Sequence, residues 1–379
     1  MTNPLPHIAL FLPNLDGGGA ERAVVALAGQ MASFDIRVEL VVANTGGPYL
    51  GEIDRAVRLI DLKATRMRAT IPGLIRYVRR EQPDVLASAL DHSSMVAAIT
   101  LCTAMRPTRF VILQRSCVTA CWATGASNGA WLSQALYRWT YQRAHLIIGN
   151  SLAVTSDLHD NLGVRWDRLA FIHNSIDATT IHHKATEPLP SNWNRLTITP
   201  FILAVGTLEP VKDFETLIRV FSVISDRIPH DLVILGEGSE RHRLTDVIVK
   251  LGMPHRIHLP GFDLNPFRWM KHARVMVSSS LTEGCPNVLQ QALACGTPIV
   301  ATDCPGGTAE ILEDGKWGRL VPVGDPQAMA DAIIKTLEDK HLPNGRVRAA
   351  DFDPRKNALE YLRLLLPDFV PPPMKRTAL

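Results

Sequence analysis

Residues 278–308 read SSSLTEGCPNVLQQALACGTPIVATDCPGGT. The apolar run 275–278 that leads into them has the length of a buried strand. Glu283 and Gly284 stand in the polar loop that follows, and Pro286, with its φ already set, suits the start of a helix over 287–294. Gly296 stops that helix, 298–301 is a second strand, and 303–307 forms a loop at its carboxyl end. Two strands joined by a helix are parallel neighbours, the repeating unit of an α/β sheet.

The same alternation continues on both sides. In the second half, runs 201–205, 231–235 and 256–259 read as strands, 213–224 and 240–250 as helices, and 326–338 as a helix after one more short strand. In the first half, 7–13 is an apolar strand followed by Asp16-Gly17-Gly18-Gly19 and a helix over 20–31. Further strands are expected at 37–42, 57–62, 83–90, 110–113, 146–149 and 169–173, with helices over 71–80 and 131–144. Segment 182–200 is charged, contains proline and shows no sustained period. The expected division is therefore 1–190 and 191–365, with 366–379 a proline-containing tail. Each half reads as a doubly wound sheet, whose ligands bind beyond the carboxyl ends of the strands.

The chain's 379 residues suffice for two domains, and 46% hydrophobic with 20% charged residues excludes a mainly disordered protein. Forty Lys and Arg against 37 Asp and Glu leave +3, too little to neutralise a nucleic-acid backbone, so no nucleic-acid partner is expected. The small excess lies in the first half, concentrated in Arg66, Arg68, Arg76, Arg79 and Arg80. These residues surround Ile71, Leu74, Ile75 and Val78, and are expected to dock a short helix on an anionic membrane surface. The six cysteines show no two-residue pairing and read as cytosolic thiols. The first apolar run lacks a basic flank and is too short to span a bilayer. A cytoplasmic protein, docking peripherally on the inner membrane, is the expectation.

Several loops carry potential chemistry. The triple glycine Gly17-Gly18-Gly19 before a helix admits close approach of a phosphate to free amides, or is simply a tight turn. Val205-Gly206-Thr207-Leu208-Glu209-Pro210-Val211-Lys212 sets a flexible cation near a helix start. Gly236-Glu237-Gly238 follows another buried strand and either caps it or approaches a ligand. Glu283 and Gln291 lie in the loop and the first helical turns of one unit, so both can face one elongated ligand. His182, His183 and the Asp91-His92 pair lack the spacing of a metal site.

These motifs, in this order, resemble the nucleotide-sugar-dependent, retaining glycosyltransferases of family 4. That family carries EG-x-PNVL-x-EA-x-A-x-GTPVV, and Glu283 to Leu289 with Ala292 to Val300 match it closely. The amino-terminal glycine loop, a G-R-L-x-x-x-K junction and a G-x-G loop precede it, so the likeness spans residues 7 to about 365. It implies the GT-B fold, two Rossmann-like doubly wound domains facing each other across a cleft, with the last helix packing back on the first domain. The first domain would bind the acceptor and the second the nucleotide sugar.

The resemblance further implies a nucleoside diphosphate sugar donor, a UDP-hexose or UDP-N-acetylhexosamine, and a glycan or lipid-linked saccharide acceptor. Bacterial polysaccharide or lipopolysaccharide synthesis is the setting it suggests, with no metal or other cofactor. Lys212 would neutralise the departing diphosphate, Glu283 would orient sugar hydroxyls and Gln291 would bind ribose. Gly18, Gly19, Thr207, Gly236, Gly261, Phe262, Asn287, Val288, Leu289, Gly307 and Thr308 would complete the nucleotide site. Some members of the family use a first-domain histidine near the position of Gln114 or Arg115, so Arg115 and His92 join the catalytic candidates. Two positions depart from the pattern: the second glutamate is Gln291, and the junction arginine is Thr207. A catalytically silent subunit and a sugar-nucleotide epimerase share this architecture and remain alternatives at this stage.

Overall fold

The computed structural model describes residues 5–15, 19–123 and 130–370. It divides into two compact units, one holding the chain up to Ser175 and again from Pro354, the other Ile176–Asp353. In the first, strands β1 (His7–Leu12), β2 (Arg37–Val42), β3 (Arg58–Asp61), β4 (Val85–Ala89), β5 (Arg109–Gln114), β6 (Leu146–Gly149) and β7 (Leu169–Phe171) form one parallel sheet. Their order is β3-β2-β1-β4-β5-β6-β7. Every residue of β1 is buried, as expected of a central strand covered on both faces. One face packs Leu10, Leu12, Val24, Leu27 and Met31 with Tyr361, Leu362 and Leu365 of the helix Pro354–Leu365. The other face packs Phe11, Leu74, Val78, Phe110 and Tyr141.

The second unit repeats the plan with β8 (Phe201–Val205), β9 (Asp231–Leu235), β10 (Ile257–Gly261), β11 (Val275–Ser278), β12 (Ile299–Thr302) and β13 (Arg319–Val321). These are ordered β10-β9-β8-β11-β12-β13, again all parallel. Each sheet therefore reverses direction beside its first strand, the switch point at which open α/β sheets leave room for a ligand.

The division between units falls at Ser175, ahead of the expected residue 190. Asp177 caps a helix over Ala178–Ala185 by accepting a hydrogen bond from the Thr180 amide, and Ile181, Ala185, Leu189 and Leu196 enter the second unit's core. His182, His183 and Lys184 on that short helix hide its apolar side from a search for periodicity. The helix Asp91–Ala104 was also illegible in sequence, because Ser93, Ser94, Ala97, Ala98 and Thr100 are all buried and leave no polar stripe.

The arginine-rich helix, Ile71–Glu81, differs from the amphipathic docking element expected. Leu74 and Val78 are fully buried in the core, so the outward apolar strip shrinks to the partly exposed Ile71 and Ile75. Arg79 donates to the carbonyls of Thr103 and Ala104, and Arg80 pairs with Glu81. Cys102, Cys117, Cys285, Cys295 and Cys304 are free thiols. Among the described residues no helix is long and apolar enough to cross a membrane.

Candidate active site

Loops from five strands of the second sheet meet at its carboxyl edge. The turns after β8, β9 and β10 are tied directly, with the Gly206 amide donating to Leu235 O at 3.0 Å and the Gly236 amide to Gly261 O at 2.9 Å. Gly236 has φ 150°, and a Cβ there would lie 1.8 Å from Gly206 O. Only glycine lets these two loops approach so closely.

The loop after β11 is held between two others. Leu281 donates its amide to Val211 O at 2.8 Å, and Ser279 Oγ donates to Lys212 O at 2.7 Å. On the other side the Glu283 amide donates to Pro305 O at 3.0 Å and the Gly307 amide to Gly284 O at 2.8 Å. Gly306, at φ 127°, permits this, since a Cβ would stand 1.6 Å from Glu283 O. Asp213, in the left-handed region at φ 45°, caps the helix Phe214–Ile224 and turns the preceding Lys212 toward the β11 loop.

The result is an ion pair: Lys212 Nζ lies 2.6 Å from Glu283 Oε1, with the side chains 20% and 11% exposed. Ser280 Oγ donates to the same oxygen at 2.7 Å. Ser280 is buried, and its carbonyl accepts from Thr302 Oγ1. This support of Glu283 by Ser280 was not read from the sequence; the run of three serines at the end of β11 is the only signal that could have drawn attention to it. Burial pushes the nearby Cys304 thiol up, and the Glu283 carboxylate adds to the effect, so this thiol is a poor nucleophile.

The other expected nucleotide residues sort by what they already do. Thr207 is exposed at the first turn, and Phe262 stands exposed beside Gly261. Asn287, Val288 and Gln291 are half-buried on the first turns of the helix Asn287–Cys295, and the Gln291 amide forms no hydrogen bond among the described residues. Leu289 differs: its side chain is fully buried in the core and its amide donates to Pro286 O, so it serves the helix instead of offering contacts. The Gly307 amide is likewise occupied by Gly284 O and is not available to a phosphate as expected. Thr308 Oγ1 lies 3.5 Å from Cys304 Sγ.

In the first unit, Gly18 lies outside the described residues and Gly19 is exposed at the start of the helix Gly19–Ala32. His92 is exposed in the first turn of the helix Asp91–Ala104. Its neighbour Asp91 accepts from Gln114 Nε2 and Tyr137 OH. Gln114 also accepts from Tyr141 OH at 2.6 Å, which leaves it a structural residue. Arg115 is buried and donates to Asn174 Oδ1. Among the described residues no three His, Cys, Asp or Glu side chains cluster as metal ligands would.

Comparison with known proteins agrees with this arrangement along nearly the whole chain. The model of glycosyltransferase family 4 matches residues 17–180, and that of glycosyl transferases group 1 matches residues 199–339. A Campylobacter jejuni enzyme, N-acetylgalactosamine-N,N'-diacetylbacillosaminyl-diphospho-undecaprenol 4-alpha-N-acetylgalactosaminyltransferase, is 28% identical over 96% of this chain and 100% of its own. The lipopolysaccharide core biosynthesis glycosyltransferase LpsE of Rhizobium meliloti is 26% identical over 88% of this chain and 89% of its own. Among solved structures, Anabaena HepE in complex with UDP and glucose aligns with a TM-score of 0.77 at 20% identity, over 95% of this chain and 99% of its own. The sucrose-phosphate synthase of Thermosynechococcus elongatus aligns with a TM-score of 0.80 at 21% identity, over 95% and 98%. Two doubly wound parallel sheets, the Lys212–Glu283 pair and these matches together make the chain a glycosyltransferase of the GT-B fold, a member of glycosyltransferase family 4.

Proposed function

We propose that this enzyme transfers a hexose or N-acetylhexosamine from its UDP donor to a saccharide carried on a lipid diphosphate, with retention of the donor's anomeric configuration. The observation that carries the reading is the end-to-end similarity to the Campylobacter jejuni transferase, whose name specifies a diphospho-undecaprenol-linked acceptor. The UDP complexes of HepE support the choice of base.

The site's own chemistry fits. Lys212 and Glu283 neutralise each other at 2.6 Å. An arriving diphosphate offers Lys212 a more highly charged partner, and the freed Glu283 Oε1 then accepts a donor-sugar hydroxyl. Ser280 keeps that carboxylate in place through the exchange. Lys212 balances the charge that grows on the leaving diphosphate, a task that cations or metal ions perform in phosphate chemistry generally. On this reading no resident metal is needed. Gln291 takes the ribose hydroxyls, donating and accepting through its amide. With Glu283 then committed to the sugar hydroxyls, a same-face substitution, in which the leaving phosphate takes the acceptor's proton, is favoured over a glycosyl-enzyme intermediate.

The direct test is UDP release with a panel of UDP-sugars and saccharide–lipid diphosphate acceptors, followed by NMR of the product. The expected outcome is one donor strongly preferred and a new linkage with the donor's anomeric configuration. Inversion of configuration overturns the mechanism, and turnover with only soluble, phosphate-free acceptors overturns the acceptor class.

A further inference from the structure

Arg115 directly follows β5, Asn150 directly follows β6, and Asn174 lies just beyond β7, so three adjacent strands deliver these side chains to the carboxyl edge of the first sheet. All three are more than nine-tenths buried, at 8%, 2% and 6% exposure. Arg115 Nη1 donates to Asn174 Oδ1 at 2.7 Å, and Asn150 Nδ2 donates to the Arg115 carbonyl at 3.0 Å. Two atoms of the cluster, Arg115 Nε and Asn150 Oδ1, are buried without a hydrogen-bond partner among the described residues. Among the described residues no carboxylate pairs with Arg115.

Two other sheltered arginines, by contrast, are matched by a carboxylate. Arg268 pairs with Asp263 at 2.7 Å and Arg348 with Asp351 at 3.0 Å. A guanidinium does not lose its proton in a protein, so the charge on Arg115 persists. A charge removed from water and matched only by one neutral amide is unfavourable unless an anion arrives to complete it. The Nε–Nη2 edge of the guanidinium is the geometry that grips two oxygens of one phosphate, and open α/β sheets bind ligands at this edge.

We propose that Arg115, positioned by Asn174 and Asn150, forms a phosphate-binding site within the first unit. Its ligand is a phosphate or diphosphate group, with a neighbouring hydroxyl to donate to Asn150 Oδ1. Two co-substrates of the proposed reaction carry such a group, the donor and the lipid diphosphate acceptor. This choice of source rests on that reading, whereas the anion site itself does not.

The first measurement follows the unfolding midpoint of the full chain as inorganic phosphate is added, for wild type, Lys212→Ala and Arg115→Gln. Phosphate salts stabilise proteins generally, so the difference between variants reads the site. A rise larger by about 2 °C in wild type and Lys212→Ala than in Arg115→Gln is expected. Equal rises in all three overturn the site. If Arg115→Gln fails to fold, Arg115→Lys replaces it: this variant keeps the charge but loses the fork, so an undiminished rise overturns the site. The second measurement is steady-state kinetics of the same Arg115 variant. A KM raised tenfold or more for the acceptor alone assigns the site to the lipid diphosphate, and for the donor alone to the sugar nucleotide. Unchanged values for both overturn the proposal. Failure of every lipid diphosphate acceptor, with the phosphate effect intact, would instead strike the proposed function and spare the site.

Discussion

Lys212 and Glu283 come from the loops that follow different strands, β8 and β11, and meet at 2.6 Å with little exposure on either side. Removing the lysine leaves a sheltered carboxylate and takes away the cation nearest the expected diphosphate. Lys212→Ala is expected to lower kcat by roughly 10²-fold or more while the fold survives, as checked by steady-state kinetics and circular dichroism. Near-normal turnover in a folded variant would remove Lys212 from the mechanism. Gln291 stands at the second glutamate of the pattern EG-x-PNVL-x-EA that the sequence resembles, and its side-chain amide has no hydrogen-bond partner among the described residues. Calorimetric titration of Gln291→Glu with UDP is expected to give equal or tighter binding, because a carboxylate accepts stronger hydrogen bonds from ribose. A tenfold loss, about 1.4 kcal/mol, would mean the pocket is built around the amide.

The loops that frame this pair depend on backbone approaches that no side chain tolerates. At Gly306 a methyl group would sit 1.6 Å from Glu283 O, at a φ of 127° that L-residues avoid. Gly306→Ala is therefore expected to cost roughly 2 kcal/mol or more in urea denaturation and to reduce turnover, because the displaced atom belongs to Glu283 itself. A stable, fully active variant would mean that the loop after β12 has room to move without disturbing the carboxylate. Element by element, the strands were legible because buried parallel strands appear as short uninterrupted apolar runs. Helices with a polar stripe, such as Phe214–Ile224 and Pro326–Glu338, were legible for the complementary reason. Asp91–Ala104 was not, since a helix buried nearly all round has no stripe to detect.

At the scale of the molecule, the two units close the amino ends of their sheets in the same way. In the first, Glu39 is fully buried and receives hydrogen bonds from Tyr77, Arg37 and Arg58, with His7 Nε2 at 3.1 Å. In the second, Asp231 is buried and meets Arg195, Arg256 and His258. Burial alone pushes the Glu39 carboxyl up, but the His7 ring 3.1 Å away and the hydrogen bonds from Tyr77 and Arg37 outweigh it and hold the value at about 2. A folded value below the ordinary 4.5 means that its stabilisation is complete above that pH and is lost as pH falls toward 2. Glu39→Gln is thus expected to lose about 3 kcal/mol at pH 7, where Tyr77, Arg37 and Arg58 lose their buried carboxylate acceptor although both arginines keep Glu81, and to flatten the fall in stability between about pH 4.5 and 2. Denaturant titrations across that range check both, and an unchanged slope would transfer the acid sensitivity to other carboxylates. Arg66, Arg68 and Arg76 are exposed and carry no ion pair among the described residues. Flotation with anionic vesicles is expected to carry wild type at low salt, release it at high salt, and fail for the triple alanine variant at these positions. Equal flotation of both proteins would remove this face as the docking surface.

Sequence alone determined the class of the fold, the strand positions and the choice of Lys212 and Glu283 as candidates, because apolar runs and the spacing of Glu283, Pro286 and Gly296 are local properties of the chain. Tertiary structure decided which of the named residues are still available. The Gly307 amide is consumed by Gly284 O, Leu289 is absorbed into the core, and Leu74 and Val78 are withdrawn from the surface, all through contacts that local sequence does not encode. It also decided that Ser280 supports Glu283 and that Arg115 is buried with no counterion among the described residues. Hydrogen-bond supply and desolvation are set by neighbours distant in sequence, and those become fixed only when the strands take their places in the sheet.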